Sequence, residues 1–323
     1  MLPSDPSAVL FDGPWRHRDV SANGIRLHLA ESGDGPLVLL LHGFAGFWWS
    51  WHRCLPGIAA AGHRTVAVDL RGYGSSDKPP RGYDGWTLAG DIAGLIRALG
   101  EGRAHLVGHD WGGMLAWATA SLHPRVVASV TTLGAGHPLA LRSQIVRTVL
   151  RRRERNQARG ASELFRSQLP FLPERRLRRN DAAYVERLMT RWAGPSWPGH
   201  PHDPADAAAG TTLARHRTAM SVRSVPHTAS EHHRWAVRSQ LRGDGRRFAR
   251  ALAAPAHVPV LQIRGEHDEC VLANTLRESA RWAGRGSSLR TFPAVGHLPQ
   301  LEAPDVTVAT VTGFLRGIRP VSG

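Results

Sequence analysis

Short apolar runs alternate with amphipathic stretches at both ends of the chain. Between the apolar runs, residues 86–100 carry Leu88, Ile92, Leu95, Ile96 and Leu99 at helical spacing, and Gly100 can end that helix. A second helix is expected at residues 304–318. Strands that alternate with helices predict an α/β fold, a mostly parallel sheet with helices on both faces. The six runs of buried-strand type are residues 37–44, 64–70, 104–110, 126–135, 258–265 and 288–297.

The alternation stops between residues 138 and 254. This stretch has helical patterns separated by proline and glycine, and it lacks the apolar runs that predict strands. We therefore expect a helical insertion at residues 138–254 that serves as a cap or lid. It would divide one core domain into residues 1–137 and residues 255–323. A chain of 323 residues is long enough for that arrangement.

The net charge of +15 is concentrated in the predicted insertion. Residues 137–255 hold 23 arginines and 9 acidic residues, a net charge of +14, and Lys78 is the only lysine of the chain. The basicity is almost entirely arginine, and no basic motif interleaves with aromatic residues as nucleic-acid-binding motifs do. No nucleic-acid partner is therefore predicted.

Cysteine content and hydropathy further restrict the class of protein to which the chain can belong. With Cys54 and Cys270 alone, and no Cys/His cluster at metal-ligand spacing, neither a disulfide framework nor a metal site is predicted. No apolar run reaches the roughly 18 residues of a membrane span, and the N-terminus lacks the apolar region of a signal peptide. We expect a cytoplasmic protein with no membrane span. The sequence does not predict its oligomeric state.

Residues 108–112, GHDWG, place an aspartate where a predicted strand ends and a predicted helix begins. The flanking glycines allow a sharp turn that lifts the middle side chain off the strand end, which is the pattern of a nucleophile elbow. Amides at the start of the next helix favour an ionised carboxylate. Two interpretations fit Asp110: a nucleophile, or a cap of that helix.

Three further motifs favour the nucleophile. HGF at residues 42–44 follows a strand, so the amide of Phe44 can join that of Trp111 in an oxyanion hole. Asp268 follows the first strand after the insertion, and His297 follows the last strand. The chain order of nucleophile, acid and histidine is that of the α/β-hydrolase arrangement.

These motifs, together with DLRGYGSSDKP at residues 69–79, resemble those of the epoxide hydrolases of the α/β-hydrolase superfamily. The resemblance covers residues 20–137 and 256–320. It implies that Asp110 is the nucleophile, His297 the general base and Asp268 the acid that orients the base, with no metal or organic cofactor. The implied partner is a small-molecule substrate, an apolar epoxide.

An aspartate nucleophile has a chemical consequence of its own. Attack on an acyl carbon would give a reactive anhydride, whereas attack on a saturated carbon gives an ester that water can hydrolyse. Epoxides and alkyl halides are two such electrophiles. Dehalogenases of this superfamily bind the halide with two donors, one of them a tryptophan directly after the nucleophile. Trp111 matches that tryptophan, but Phe44 stands at the position of the second donor. A haloalkane or haloacid dehalogenase-like hydrolase is therefore the second candidate.

The proton donors of the resembled family are absent from their places. Epoxide hydrolases usually donate from two cap tyrosines, and alignment puts Ser167 and His233 at those positions; Tyr184 is the only tyrosine of the insertion. His233 or His232 can substitute as an imidazolium. A third hypothesis is a non-catalytic ligand-binding protein of the same fold, whose insertion arginines hold an anionic ligand.

Overall fold

Eight strands form the sheet in the computed structural model, which describes residues 4–150, 156–197 and 207–318. Their order across the sheet is β1-β2-β4-β3-β5-β6-β7-β8. The pairs β1–β2 and β2–β4 are antiparallel and the other neighbours are parallel. The predicted α/β-hydrolase fold and its mostly parallel sheet are confirmed. The strands are β1 (Arg16–Ala22), β2 (Ile25–Ser32), β3 (Leu37–Leu41), β4 (Arg64–Val68), β5 (Ala104–His109), β6 (Val127–Leu133), β7 (Val260–Gly265) and β8 (Ser288–Phe292).

The β1–β2 hairpin is an addition to the predicted strands. Its turn is formed by Asn23 and Gly24, whose φ angles are 48° and 77°. Asn-Gly is favoured in two-residue hairpin turns because both central residues need a positive φ. Most side chains of β1 are at least partly exposed, so its apolar pattern is weak. The turn, and not the hydropathy, carries the signal for this hairpin.

Helices cover both faces of the sheet. One pair of packed helices is α1 (Leu55–Ala60) with α13 (Pro304–Arg316), and another is α2 (Gly85–Ala98) with α3 (Trp111–Leu122). None of the described helices combines the length and the apolar composition that crossing a lipid bilayer requires. The remaining short helices of the second part of the core are α11 (Ala273–Ser279) and α12 (Pro299–Glu302).

The described part of the chain between β6 and β7 consists of helices joined by turns and loops. Its residues 151–155 and 198–206 lie outside the described residues. We call this part, from α4 to α10, the helical segment; its division from the core as a separate domain stays a prediction. Its helices are α4 (Pro138–Leu150), α5 (Gln157–Gly160), α6 (Ser162–Arg166), α7 (Leu172–Trp192), α8 (Ala207–Ser221), α9 (Val225–Arg238) and α10 (Gly243–Ala251).

A buried ion pair joins the loop after β4 to α2. Arg71 donates from Nε to one oxygen of Asp91 at 2.6 Å and from a terminal nitrogen to the other at 2.7 Å. Asn23, in the hairpin turn, donates to the same carboxylate at 2.7 Å. Both charged side chains are at most 6% exposed. A buried charge pair of this kind depends on both partners being present.

Candidate active site

The turn between β5 and α3 places Asp110 at the carboxyl end of a central strand. Its backbone has φ 47° and ψ −114°, a region that non-glycine residues rarely occupy. A Cβ at Gly108 would overlap the carbonyl of Gly112, and a Cβ at Gly112 would overlap the carbonyl of Leu41, so both glycines are required. The Asp110 side chain makes no capping bond to α3. The helix-cap interpretation is therefore wrong, and the strained turn has the form of a nucleophile elbow.

A backbone amide holds one oxygen of the Asp110 carboxylate. Phe44, in the turn after β3, donates its N–H to Oδ2 at 2.9 Å. Gly43 permits this approach, because a Cβ there would lie 2.7 Å from Cβ of Asp110. Trp111 is the first residue of α3, and its amide makes no bond to this carboxylate among the described contacts. The Phe44 amide is thus positioned to bind a carbonyl oxygen at Asp110, and the matching role of Trp111 stays a prediction.

His297 lies between two carboxylates. Its Nδ1 is 3.0 Å from Oδ2 of Asp268, and its Nε2 is 3.8 Å from Oδ1 of Asp110. The other oxygen of Asp268 accepts N–H bonds from Cys270 at 2.8 Å and from Val271 at 2.9 Å, which fixes the orientation of the carboxylate. An ionised carboxylate only accepts hydrogen bonds, so Nδ1 of His297 carries a proton. Nε2 is left to face Asp110.

The loop that carries His297 is held by a buried carboxylate that the sequence analysis misses. Glu302, in α12, accepts N–H bonds from Gly194, Gly296 and Leu298 at 2.8–2.9 Å. Gly194 lies two residues after the end of α7, so this one side chain also ties the helical segment to the histidine loop. No sequence signal marks Glu302, because an acidic residue is usually exposed.

The charges of Asp110 and His297 are coupled. Burial alone would lower the pKa of His297, but the carboxylates of Asp268 and Asp110 outweigh burial and raise that pKa well above its ordinary value. Burial would likewise raise the pKa of Asp110, yet the neighbouring His297 and the N–H of Phe44 lower it. The two shifts agree: the free site holds an ionised Asp110 beside a protonated His297.

The Asp110 carboxylate, 23% exposed, opens into a narrow chamber of about 50 Å³ that we call the site cavity. Met114, Leu141 and Leu164 line both this chamber and an apolar cavity of about 370 Å³ between α3 and the helical segment. Asp110 therefore borders an apolar chamber. Other residues that line the site cavity are Phe44, Glu163, Trp192, His233, Cys270 and His297.

Of the four candidates in the predicted insertion, His233 lines the site cavity. Its ring packs on that of Phe44, with 4.3 Å between the centroids. Its Nδ1 is 3.0 Å from Oγ of Ser167, and the Ser167 hydroxyl donates to the carbonyl of Glu163 at 2.8 Å. With its own proton in use, Ser167 must accept from Nδ1–H of His233. The Nε2 of a neutral His233 is then an acceptor.

The surroundings of His233 bear on its expected role. Burial lowers its pKa to about 4, and the attraction of Asp110 opposes this only in part. A lowered pKa favours the neutral ring, whose Nδ1 proton is bonded to Ser167. The ring is buried and packs on Phe44, so these observations favour a neutral residue that lines the pocket, and the role of His233 as a proton donor stays a prediction.

The other three candidates lie away from the nucleophile. His232 is fully buried, its Nε2 is 3.1 Å from the carbonyl of Arg71, and burial lowers its pKa to about 3. Tyr184 donates its hydroxyl to Glu163 at 2.7 Å, and burial raises its pKa to about 12. Ser167 lines a neighbouring cavity and not the site cavity. As placed, none of the three contacts Asp110 in the described structure.

One cluster near the site has donor atoms at metal-binding spacing. Atoms of Asp268, Cys270 and His297 lie within 4.8 Å of one another. Both oxygens of Asp268 are already engaged, one by His297 and the other by two backbone amides. The cluster therefore offers a cation no free carboxylate oxygen.

Known proteins resemble this chain in sequence and in fold. The sequence model of the alpha/beta hydrolase fold family matches residues 36–304. AB hydrolase superfamily protein YfhM of Bacillus subtilis is 40% identical over 175 residues, 53% of this chain and 59% of the relative. Epoxide hydrolase 3 of Xenopus tropicalis is 41% identical over 172 residues, 52% of this chain and 45% of the relative. The chain thus spans about half the length of these curated relatives. A solved structure described as an epoxide hydrolase from an endophytic Streptomyces has a TM-score of 0.78 and 28% identity, covering 95% of this chain and 97% of its own.

Proposed function

Because this chain belongs to the α/β-hydrolase fold family and is an epoxide hydrolase-like member of it, we propose that it hydrolyses an epoxide to a diol through an ester of Asp110. The observation that carries the proposal is an aspartate at the nucleophile elbow, bonded to the Phe44 amide and 3.8 Å from His297. A carboxylate nucleophile suits attack on a saturated carbon, because the ester that forms is stable until water is activated.

In the first step Oδ1 of Asp110 attacks an oxirane carbon. The C–O bond of that carbon breaks, and its electron pair passes to the oxirane oxygen. The product is a hydroxyalkyl ester once that oxygen takes up a proton. Oδ2, which already accepts the N–H of Phe44, becomes the carbonyl oxygen of the ester.

His297 supplies the proton for ring opening in this proposal. It is the cationic acid among the described residues that line the site cavity. Esterification removes the charge of Asp110, one of the two carboxylates that hold the proton on His297, so the pKa of His297 falls as the alkoxide forms. The proton passes to the alkoxide through a water molecule, and the imidazole is left neutral.

Neutral His297 then serves as the base for hydrolysis. Its Nε2 takes a proton from water while the water oxygen bonds to the ester carbonyl carbon, and the amide of Phe44, with that of Trp111, stabilises the oxyanion on Oδ2. Collapse breaks the bond between the carbonyl carbon and the alkyl oxygen, which takes the proton back from His297. The new carboxylic acid of Asp110 returns its proton to His297, so the cycle ends with the charges of the free site.

The apolar cavity supports a substrate with an apolar part. It shares three side chains with the site cavity and is otherwise lined by residues such as Leu115, Ile145, Phe165 and Phe248. The helical segment forms its outer wall and acts as the cap that separates the reacting atoms from bulk water.

A single turnover in heavy-oxygen water tests the covalent mechanism. With enzyme in excess over an epoxide such as styrene oxide, the label should enter the Asp110 carboxylate, because water attacks the carbonyl carbon and not the alkyl carbon. Peptide mass spectrometry locates the label. Label in the diol with none in Asp110 would rule out the ester.

A halide leaving group is the second candidate, and one observation favours it. The indole Nε1 of Trp111 is buried and has no hydrogen-bond partner in the described structure, so it is a donor that a halide would accept. Phe44 adds no second side-chain donor. Halide release from a panel of haloalkanes and haloacids, with no diol from any epoxide, would favour this function. A protein that turns over neither class would be the non-catalytic binding protein.

A further inference from the structure

Arginines of the helical segment converge on a third chamber. Arg166, Arg175, Arg176 and Arg179 line a cavity of about 470 Å³, which we call the arginine cavity. The other charged residue in its wall is Glu163. Four arginines against one glutamate give the wall a charge of +3. Neither step of the proposed reaction uses this charge.

The arginine cavity borders the site cavity. Phe44, whose amide binds the nucleophile, lines both chambers, and so does Glu163. Ser167, the hydrogen-bond partner of His233, also lies in the wall of the arginine cavity. A molecule that extends from Asp110 past the ring of Phe44 therefore places its far end among the arginines.

The carboxylate among the described residues that line the arginine cavity already has three donors at one of its oxygens. Oε1 of Glu163 lies 2.5 Å from Arg166 and 3.4 Å from Arg191, and it accepts the hydroxyl of Tyr184 at 2.7 Å. Arg176 packs its guanidinium over the ring of Tyr184, 3.6 Å from the centroid. Glu163 and Tyr184 therefore hold Arg166 and Arg176 in place at the wall.

Arg175 and Arg179 have no such partner. In the part of the chain that the structure describes, no carboxylate lies within ion-pairing distance of either guanidinium. Exposed arginines on a helix are ordinarily a solvated face, and these two are exposed. They differ from such a face because they line a concave chamber that shares Phe44 and Glu163 with the wall of the site cavity.

We propose that the arginine cavity binds a carboxylate at the far end of the substrate, so that the enzyme prefers anionic epoxides to neutral ones of the same shape. The planar guanidinium fork matches a carboxylate with two parallel hydrogen bonds. The apolar chain that joins the epoxide to the carboxylate would lie along the ring of Phe44, which lines both the site cavity and the arginine cavity. This inference rests on the proposed function and specifies its substrate.

The test compares acids with amides. The probes are terminal epoxyalkanoic acids of increasing chain length, each paired with its primary amide, which has the same shape and no charge. We expect kcat/KM of the acid to exceed that of the amide by about three- to ten-fold at one chain length, the range for one or two solvent-exposed charge pairs. The preference should shrink as salt is added, because salt screens exposed charges.

A matched pair of variants locates the effect. Arg175→Gln combined with Arg179→Gln should remove the acid preference and leave amide turnover unchanged, which also reports that the variant is folded. Arg178→Gln is the control, since Arg178 lies on the same helix and does not line the arginine cavity. Arg176 is left intact because it packs on Tyr184.

The outcomes separate this inference from the proposed function. Equal turnover of acids and amides by the unmodified enzyme, or an acid preference that survives the double substitution, would overturn the carboxylate site and leave epoxide hydrolysis standing. No turnover of any acid or amide, with no adduct on Asp110, would overturn both.

Discussion

Replacing Asp268 by asparagine should slow hydrolysis of the ester far more than its formation. The substitution keeps the shape of the side chain, and its carbonyl oxygen can still accept the amides of Cys270 and Val271. The new NH₂ group then takes the place of Oδ2, 3.0 Å from Nδ1 of His297. A donor now faces a nitrogen that must donate, so the neutral ring moves its proton to Nε2. Nε2 can then no longer take a proton from water.

The size of the effect follows from the distance. Two unit charges 3.0 Å apart interact by about 5 kcal/mol at an effective dielectric constant of about 20, equivalent to roughly 3 to 4 pKa units on His297. In a serine protease, replacing the corresponding aspartate by asparagine removes this attraction and the correct tautomer of the histidine, and kcat falls by about 10⁴. We expect ester hydrolysis to fall by about 10³–10⁴. Ester formation should fall by no more than about ten-fold, because Asp110 stays ionised and its charge still favours the proton on His297 that ring opening uses.

Rapid-quench single turnovers measure both steps. Intact-protein mass spectrometry follows the rise and the decay of the adduct on Asp110 with an epoxide that the enzyme turns over. Asp305→Asn is the control, since Asp305 is an exposed acid in the first turn of α13. Equal slowing of both steps, or an adduct that decays at the unmodified rate, would show that Asp268 does not orient the base.

Three further predictions concern the base, the buried histidine of the site cavity and the fold. His297→Gln should slow ester formation, because it removes the acid that protonates the oxirane oxygen, and should still accumulate the ester to one equivalent, seen as a mass increase of one substrate, because it also removes the base for hydrolysis; an enzyme that still turns over fully would need another acid and base. His233, neutral above about pH 4, should contribute no titration to kcat/KM between pH 6 and 8, and a descending limb in that range that vanishes in His233→Phe would contradict its low pKa. Asp91→Ala should lower the free energy of unfolding in urea by about 3–5 kcal/mol, because it leaves Arg71 charged and buried. Asp19→Ala, which breaks an exposed pair, should lower it by about 1 kcal/mol or less, and similar losses in the two variants would refute the argument from burial.

The parts of the molecule that the sequence predicts are those that local pattern encodes. The six predicted strands all occur, within a few residues at each end. The elbow is encoded by Gly108 and Gly112, whose missing side chains leave room for the turn, and this signal needs no knowledge of distant residues. Asp268 and His297 follow predicted strands, and a parallel sheet brings such strand ends to one edge.

The parts that the sequence does not predict depend on contacts between distant residues. Glu302 becomes recognisable only in the fold, where two amides of the histidine loop and the amide of Gly194 converge on its carboxylate. Glu163 lies in a polar stretch, and its link to Tyr184 crosses 21 positions of the chain. The charge of His233 depends on its burial against Phe44, 189 residues earlier in the sequence. Residue type gives the ordinary pKa of a histidine, whereas the environment decides the actual one.

In the proposed mechanism, Ser167 and His233 stand where the resembled family has tyrosines, and this exchange changes the source of the proton for ring opening. The hydrogen bonds run from His233 to Ser167 and from Ser167 to the carbonyl of Glu163. The protons of both replacement residues are thus already engaged in hydrogen bonds, and the Nε2 of a neutral His233 is an acceptor. Among the described residues that line the cavity, the cationic acid is His297, whose proton is held by the charge of Asp110 and Asp268. Alkylation of Asp110 removes its negative charge, so the pKa of His297 falls as the oxirane oxygen becomes basic. Ester formation therefore makes His297 a stronger acid, and the neutral His297 that results is the base for ester hydrolysis.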